Sequence, residues 1–354
     1  GGLLGVLAMD GHGRKSVTFM STLPERPGPV LRFGAIADVQ YADVDDQMNH
    51  MKTQLRRYRG SLVCLRNAVK DWLLEPRLHF VVDLGDIIDQ QCESAGNSRA
   101  ALELVLREWS ALRVPVHHLV GNHELYNFNR AECRELIPNI TPWYRSFKPV
   151  EGWRVVVLDP YELNMIERGG GAVVDAGLEF LSARNPNDLK APRGTVDASK
   201  GMVGLQRRFL PMGGALGNEQ LLWLRDVLLT AREAGERIII LSHLPILPES
   251  TVPGALLWNF EETLDVIREF GGTVALVLTG HFHAGGYGVD ETGTHHLTLP
   301  SPLHAELSDP RAHCTVEVME DRIDIVGCGL IQSRSLILPT TDLPKRRASP
   351  PSKL

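Results

Sequence analysis

Leu31-Arg32-Phe33-Gly34-Ala35-Ile36-Ala37-Asp38-Val39-Gln40 is the stretch that decides the fold. Its opening run is apolar on both faces, as a strand buried between two layers must be, and it ends in a carboxylate and a carboxamide one residue apart. The same order, a buried run and then a polar cluster, recurs along the chain. Residues 78–84 lead into Gly85-Asp86-Ile87-Ile88-Asp89, 116–120 into Gly121-Asn122-His123-Glu124, 237–241 into Ser242-His243, and 273–279 into Gly280-His281-Phe282-His283. Residues 153–158 read as a further buried strand. Helical patterns occupy 54–74, 98–112, 218–234 and 260–270, with Asn218 as an N-cap. Residues 295–299 and 315–319 read as antiparallel additions, the latter with 322–326 as its hairpin partner. Strands alternating with helices define an α/β protein, and such sheets bind ligands beyond the C-terminal ends of their strands.

Each polar cluster has an ordinary explanation on its own. A single Asp after a strand commonly sets a turn, Asn122 can cap one, and His243 before Leu244-Pro245 reads equally as a core histidine. His281 and His283 flank Phe282 and would share a face if this stretch were a strand. The ordered coincidence of five clusters is what points to a dinuclear metal centre. Two divalent ions about 3.5–4 Å apart need a carboxylate between them, and Asp86 is the natural bridge. Asp38, Gln40 and His283 then serve one ion, and Asn122, His243 and His281 the other. Neutral imidazoles and amide oxygens leave the pair enough positive charge to attract a phosphate. Water on such an ion ionises near pH 7 and becomes a hydroxide nucleophile.

Composition narrows the setting. The 354 residues are 43% hydrophobic and 23% charged, ordinary values for a globular chain. A chain of this length buries enough surface to fold without metal or disulfides, so a metal site is functional rather than a structural staple. The net charge of −6 and a pI near 6.1 provide no global basic field for nucleic acid or anionic membrane. No apolar run approaches the ~20 residues of a membrane span, and residues 1–9 lack the basic lead and cleavage pattern of a secretory signal. Five cysteines without a CxxC pair read as a reducing compartment. The span 160–218 is rich in Gly and Pro and, apart from a periodic stretch at 176–184, reads as a long irregular insert, the usual form of a functional or mobile loop. Because ligands from Asp38 to His283 must meet, residues 31–338 read as one catalytic domain, expected to be monomeric, between tails 1–30 and 339–354. The chain ends in Ser352-Lys353-Leu354, a peroxisomal import signal when free, which makes an import receptor the expected partner and the cytoplasm the alternative location.

The series DxQ, GDxxD, GNHE, SH and GHxH resembles the calcineurin-like metallophosphoesterases. That resemblance implies a β-sandwich flanked by α-helices (αββα) over residues 31–338. Where most of that superfamily has DxH, this chain has Gln40, a harder oxygen ligand that shifts preference from zinc or iron toward manganese or magnesium. Residues 37–43, Tyr126-Asn127-Phe128-Asn129, Leu257-Trp258-Asn259 and Gly285-Gly286-Tyr287 further resemble the manganese-dependent ADP-ribose/CDP-alcohol diphosphatases. The resemblance implies two divalent ions, manganese foremost, held by Asp38, Gln40, Asp86, Asn122, His243, His281 and His283. It implies His123 near the leaving group, and hydrolysis of the phosphoanhydride of ADP-ribose, CDP-choline or CDP-glycerol to a nucleoside monophosphate and a phosphorylated sugar or alcohol. A broader phosphodiesterase or protein phosphatase is the alternative, and a scaffold protein that has lost catalysis is a third class. Asp89 either orients His123 or serves as a first-turn helix carboxylate. Tyr126, Phe128, Tyr287 and Trp258 either stack on a base or pack a core, and His117, His118, His295, His296, His304 and His313 are assigned no metal role.

Overall fold

The computed structural model describes residues 4–9, 15–20, 28–49, 52–191 and 195–339. The terminal tripeptide Ser352-Lys353-Leu354 lies outside them. Two six-stranded mixed sheets carry the architecture. In spatial order the first is Arg334–Ile337, Arg322–Gly329, Ala312–Val318, Leu31–Ile36, Phe80–Asp83 and Val116–His118. The second is Gly286–Val289, His295–Thr298, Val274–Thr279, Arg237–Leu241, Trp153–Val157 and Arg145–Val150. The chain has the αββα architecture, with helices outside two facing sheets.

The strands at the heart of each sheet run parallel, 31–36 beside 80–83 beside 116–118, and 153–157 beside 237–241 beside 274–279. Alternation along them sorts residues into layers. Phe33, Ala35, Phe80, Val82, Val155, Ile239, Leu276 and Leu278 form the core between the sheets, with Phe33 and Phe80 stacked at 4.6 Å between ring centroids. Ile36, Val81, Val156, Ile240 and Val277 belong to the core shared with the helices. Helix Tyr58–Leu74 buries Leu62, Leu65, Val69 and Trp72, one stripe at helical spacing. Trp72 fits only because residue 34 is glycine: a Cβ there would lie 2.5 Å from the indole ring. Helices Asn218–Glu233 and Phe260–Glu269 cover the other sheet with Leu224, Leu228, Leu264 and Ile267.

Several sequence expectations need correction. The first helix begins at Tyr58 rather than residue 54, because Leu55–Arg56 pairs with Gln47–Met48. Asn218 is the first helical residue and Gly217 the cap. Strand His295–Thr298 is parallel to Val274–Thr279 and antiparallel only to Gly286–Val289, an edge strand that was not foreseen. Residues 280–285 form a turn, so His281 and His283 converge through loop geometry and not through strand alternation. Where a tail was expected, Leu4–Met9 and Lys15–Met20 pair as an antiparallel hairpin. The described residues of the span 160–217 include helix Ala172–Ser182 and the 3-10 turn Gly204–Arg208, and Leu163 and Ala215 close its neck by paired backbone hydrogen bonds. Leu181, Met202, Phe209 and Ala215 pack on Trp258 as a small separate core.

Candidate metal centre

All seven sequence-predicted ligand residues leave strand ends on the same edge of the sandwich. Asp38 and Gln40 follow Leu31–Ile36, Asp86 follows Phe80–Asp83, Asn122 follows Val116–His118, His243 follows Arg237–Leu241, and His281 and His283 follow Val274–Thr279. The loops brace one another. Asp38 N–H donates to Gly85 O at 3.0 Å, Gln40 N–H to Asp86 O at 2.8 Å, and Gly280 N–H to His243 O at 3.0 Å. Four of these residues have left-handed backbone: Asp38 at φ 53°, Gln40 at 44°, Asp86 at 59° and His281 at 66°. Such conformations cost about 1–3 kcal/mol each and persist where surrounding structure dictates them, so this edge is shaped against local preference. Gly121 permits the closest approach, since a Cβ there would sit 2.1 Å from Asp86 Oδ1.

Asp86 lies at the centre. Its Oδ2 accepts from Gln40 Nε2 at 2.8 Å and lies 3.5 Å from His243 Nε2, while Oδ1 accepts from the His123 N–H at 2.8 Å. Ligand atoms of Asp86, His243 and His281 fall within 4.8 Å of one another. Asp38 accepts from the His281 N–H through both oxygens and stands 3.7 Å from His283 Nε2. Burial pushes the Asp86 carboxyl upward, but His243 and His123 outweigh it and hold the group below the usual carboxylate range. Asp38 is held well above that range by burial, against the pull of His243, with Asp86 adding to the rise. His243 is drawn down by burial yet pushed up to about 9 by Asp86 and Asp38. His281 is pushed down to about 3 by burial and by His243; His283 is held well below its ordinary value by burial, Arg56 and His304. Burial therefore favours the neutral, cation-binding form of His281 and His283, and a cation would compete with the proton that Asp86 and Asp38 favour on His243.

Two buried atoms test whether the residues fit metal. His243 fixes its Nδ1 on Leu84 O at 2.7 Å, and its Nε2 faces the cluster without a hydrogen-bond partner. Gln40 Oε1 is likewise buried without a partner, while its Nε2 contacts Asp86 Oδ2 and His283 Nε2 at 2.9 Å. A half-turn of that amide puts the orphaned oxygen between Asp86 and His283, where a cation would satisfy all three. Carboxylate, amide oxygen and imidazole together form the mixed donor set expected of a pair of dications.

Residues that hold these groups were less visible in the sequence. His304, assigned no metal role, donates from Nδ1 to Leu55 O at 2.9 Å, so its Nε2 accepts from His283 Nδ1 at 3.2 Å and leaves His283 Nε2 free for the cluster. Glu124 is fully buried and clamps the Asp86 and Gly121 N–H groups at 2.8 Å and that of Ile87 at 2.7 Å. Burial, then Asp86, pushes its carboxyl up to about 8 against those donors. Tyr161 donates to Asn122 Oδ1 at 3.2 Å. The GNHE tetrad contained Glu124, but only the fold reveals that it braces two motifs at once.

His123 lines the rim. Its Nδ1 accepts from the Gln90 N–H at 2.9 Å, which puts the ring proton on Nε2, 3.9 Å from Asp86 Oδ2. Asp89 stands just before Gln90, the N-cap of helix Gln91–Ser94, and its Oδ1 accepts from the Gln91 N–H at 2.9 Å, whereas its Oδ2 lies 3.5 Å from His123 Nδ1 without a hydrogen bond to it. Of the aromatic candidates, Trp258 and Phe128 are core residues, and Tyr287 is tied to His295 at 2.8 Å. Tyr126 is half-buried with its ring 5.3 Å from that of His123. It lines a cleft of about 430 Å3 with Met165, Ile166, Leu189, Val196 and Met212.

Residues 31–285 match the calcineurin-like phosphoesterase family. A manganese-dependent ADP-ribose/CDP-alcohol diphosphatase from Arabidopsis thaliana is 36% identical over 312 residues, covering 86% of this chain and 96% of that protein. Its namesake in Homo sapiens is 33% identical, covering 86% and 92% respectively. A dimetal phosphatase from Danio rerio superposes with a TM-score of 0.81 at 36% identity, covering 88% of this chain and all of that one.

Proposed function

This chain belongs to the calcineurin-like phosphoesterase family, and from that premise we propose that it is a manganese-dependent diphosphatase acting on ADP-ribose and CDP-alcohols. The observation that carries the reading is the convergence of Asp38, Gln40, Asp86, Asn122, His243, His281 and His283 on one edge, with Gln40 Oε1 and His243 Nε2 buried and unpartnered. Asp38, Gln40 and His283 would hold one ion and Asn122, His243 and His281 the other, with the Asp86 carboxylate available to both. When bound, the two ions supply charge neutralisation for the phosphate oxygens and activate the attacking water. The chain's residues orient the reaction. Glu124 fixes the backbone of Asp86, and His304 fixes the tautomer of His283. His123 presents Nε2–H toward the cluster, the position from which a hydrogen bond reaches the departing phosphate oxygen.

Hydrolysis of ADP-ribose releases AMP and ribose 5-phosphate, and CDP-choline gives CMP and phosphocholine. Chromatography of reactions containing the manganese-loaded protein tests the assignment. Turnover of both anhydrides with little action on a cyclic nucleotide or a phosphopeptide is the expected result, and intact ADP-ribose and CDP-choline would refute it. Peroxisomal import through Ser352-Lys353-Leu354 is a separate proposal. A fluorescent fusion placed at the N-terminus should lose punctate localisation when the tripeptide is removed, and an unchanged distribution would end it.

A further inference from the structure

We propose that Asp71, His313 and Cys328 form a second cation site, suited to zinc, on the helix-covered face of the sheet containing Leu31–Ile36. His313 and Cys328 are direct partners on the antiparallel strands Ala312–Val318 and Arg322–Gly329, so their side chains leave the same face side by side. Asp71 arrives from helix Tyr58–Leu74, which is seated on this sheet by Trp72: its indole N–H donates to Cys314 O at 3.3 Å and its ring lies 5.4 Å from His313 edge-on. Ligand atoms of the three residues lie within 4.8 Å of one another. None of the three belongs to the metal edge described above.

A second observation points to a ligand. The His313 side chain is 1% exposed, yet neither ring nitrogen has a hydrogen-bond partner. Its Nε2 is 3.1 Å from Asp71 Oδ2, close enough for an ion pair but not aligned as a hydrogen bond. That off-axis approach is what two ligands of one ion show, because each faces the ion and not its neighbour. Nitrogen and oxygen ligands at tetrahedral angles about zinc stand about 3.3 Å apart. One carboxylate and one thiolate offset a dication, and Arg311, the nearby cation, is paired with Asp309 at 2.6 Å. The Asp71 side chain is 42% exposed, which gives entry from solvent and leaves a fourth position for water. Sulfur and nitrogen donors favour zinc, whereas the oxygen-rich edge favours manganese, so the two sites sort different metals.

Cobalt(II) reports the difference, because a thiolate ligand gives an intense near-ultraviolet charge-transfer absorption that nitrogen and oxygen ligands do not. Titration of the metal-free full chain with cobalt should develop this band. Cys328→Ser should abolish it and lower zinc content by one ion per chain, while manganese-dependent hydrolysis and the thermal stability of the metal-free protein stay unchanged. Asp71→Asn, at a half-exposed position outside the core, should weaken zinc about 10-fold or more with the fold intact. The proposal is overturned by absence of the band in the unmodified protein, by a band that survives Cys328→Ser, or by zinc affinity unaltered in Asp71→Asn.

Discussion

The metal edge and the wall of the neighbouring cleft are built in opposite ways. At the edge, buried polar side chains sit on short turns after sheet strands, four of them on left-handed backbone, and the turns hydrogen-bond one another. The cleft wall is supplied mainly by the insert, with Met165, Ile166, Leu189, Val196 and Met212 facing Tyr126. The insert has a core of its own, pinned to the body where Trp258 Nε1 donates to Leu210 O at 3.1 Å and Arg208 Nε to Trp258 O at 2.8 Å. The regions meet at Tyr161, whose hydroxyl contacts both Asn122 Oδ1 and Met212 O. The contrast separates two tasks: rigid strand ends hold atoms to within fractions of an ångström for chemistry, while an apolar insert shapes what enters.

If that division is right, damage at the edge abolishes turnover whatever the substrate. Asp86→Asn removes charge from the carboxylate that contacts Gln40 and His243 and clusters with His281, and should reduce turnover of ADP-ribose and CDP-choline alike by roughly a thousandfold or more, about 4 kcal/mol in barrier. Calorimetry should show the variant still folded; near-normal activity with bound manganese would break the comparison at its strongest point. A smaller effect is expected at His304, which reaches the edge only through His283. His304→Ala should weaken manganese binding about 10- to 100-fold, with excess manganese restoring turnover. A fall in activity that no manganese concentration repairs would assign His304 a different task.

The sequence displayed the edge better than the wall for physical reasons. Asp38, Asp86, Asn122, His243 and His281 each follow a run of buried apolar residues, and the turn from apolar to polar is local information. What brings them together is also regular, since parallel strands in a sandwich end on one side. His304 and Glu124 were harder because their roles depend on partners distant in sequence, His283 for one and Asp86 for the other. The positive φ at Asp38, Gln40 and Asp86 runs against residue preference and is imposed by neighbouring loops. The insert read as largely irregular because its core is completed by Trp258, a residue outside it; its periodic stretch at 176–184 marks the helix Ala172–Ser182, whose first turn follows directly on glycines 169–171. His313 and Cys328 are fifteen residues apart with no motif between them; only the register of two strands sets them side by side.

The smallest expected effect falls where the two regions touch. Tyr126 belongs to the helix Asn122–Asn127 that carries His123, yet its ring lines the insert's cleft. An aromatic contact with a nucleobase is worth about 0.5–1.5 kcal/mol beyond its area, so Tyr126→Leu should raise KM for ADP-ribose roughly 3- to 10-fold. The edge is untouched by this change, and kcat should stay within about twofold. Steady-state kinetics with ADP-ribose and CDP-choline separates the alternatives. A KM effect that differs between the two bases assigns the cleft to substrate selection. A drop in kcat at constant KM means that Tyr126 acts through His123 and belongs to the edge, and no change in either parameter removes the cleft from the reaction.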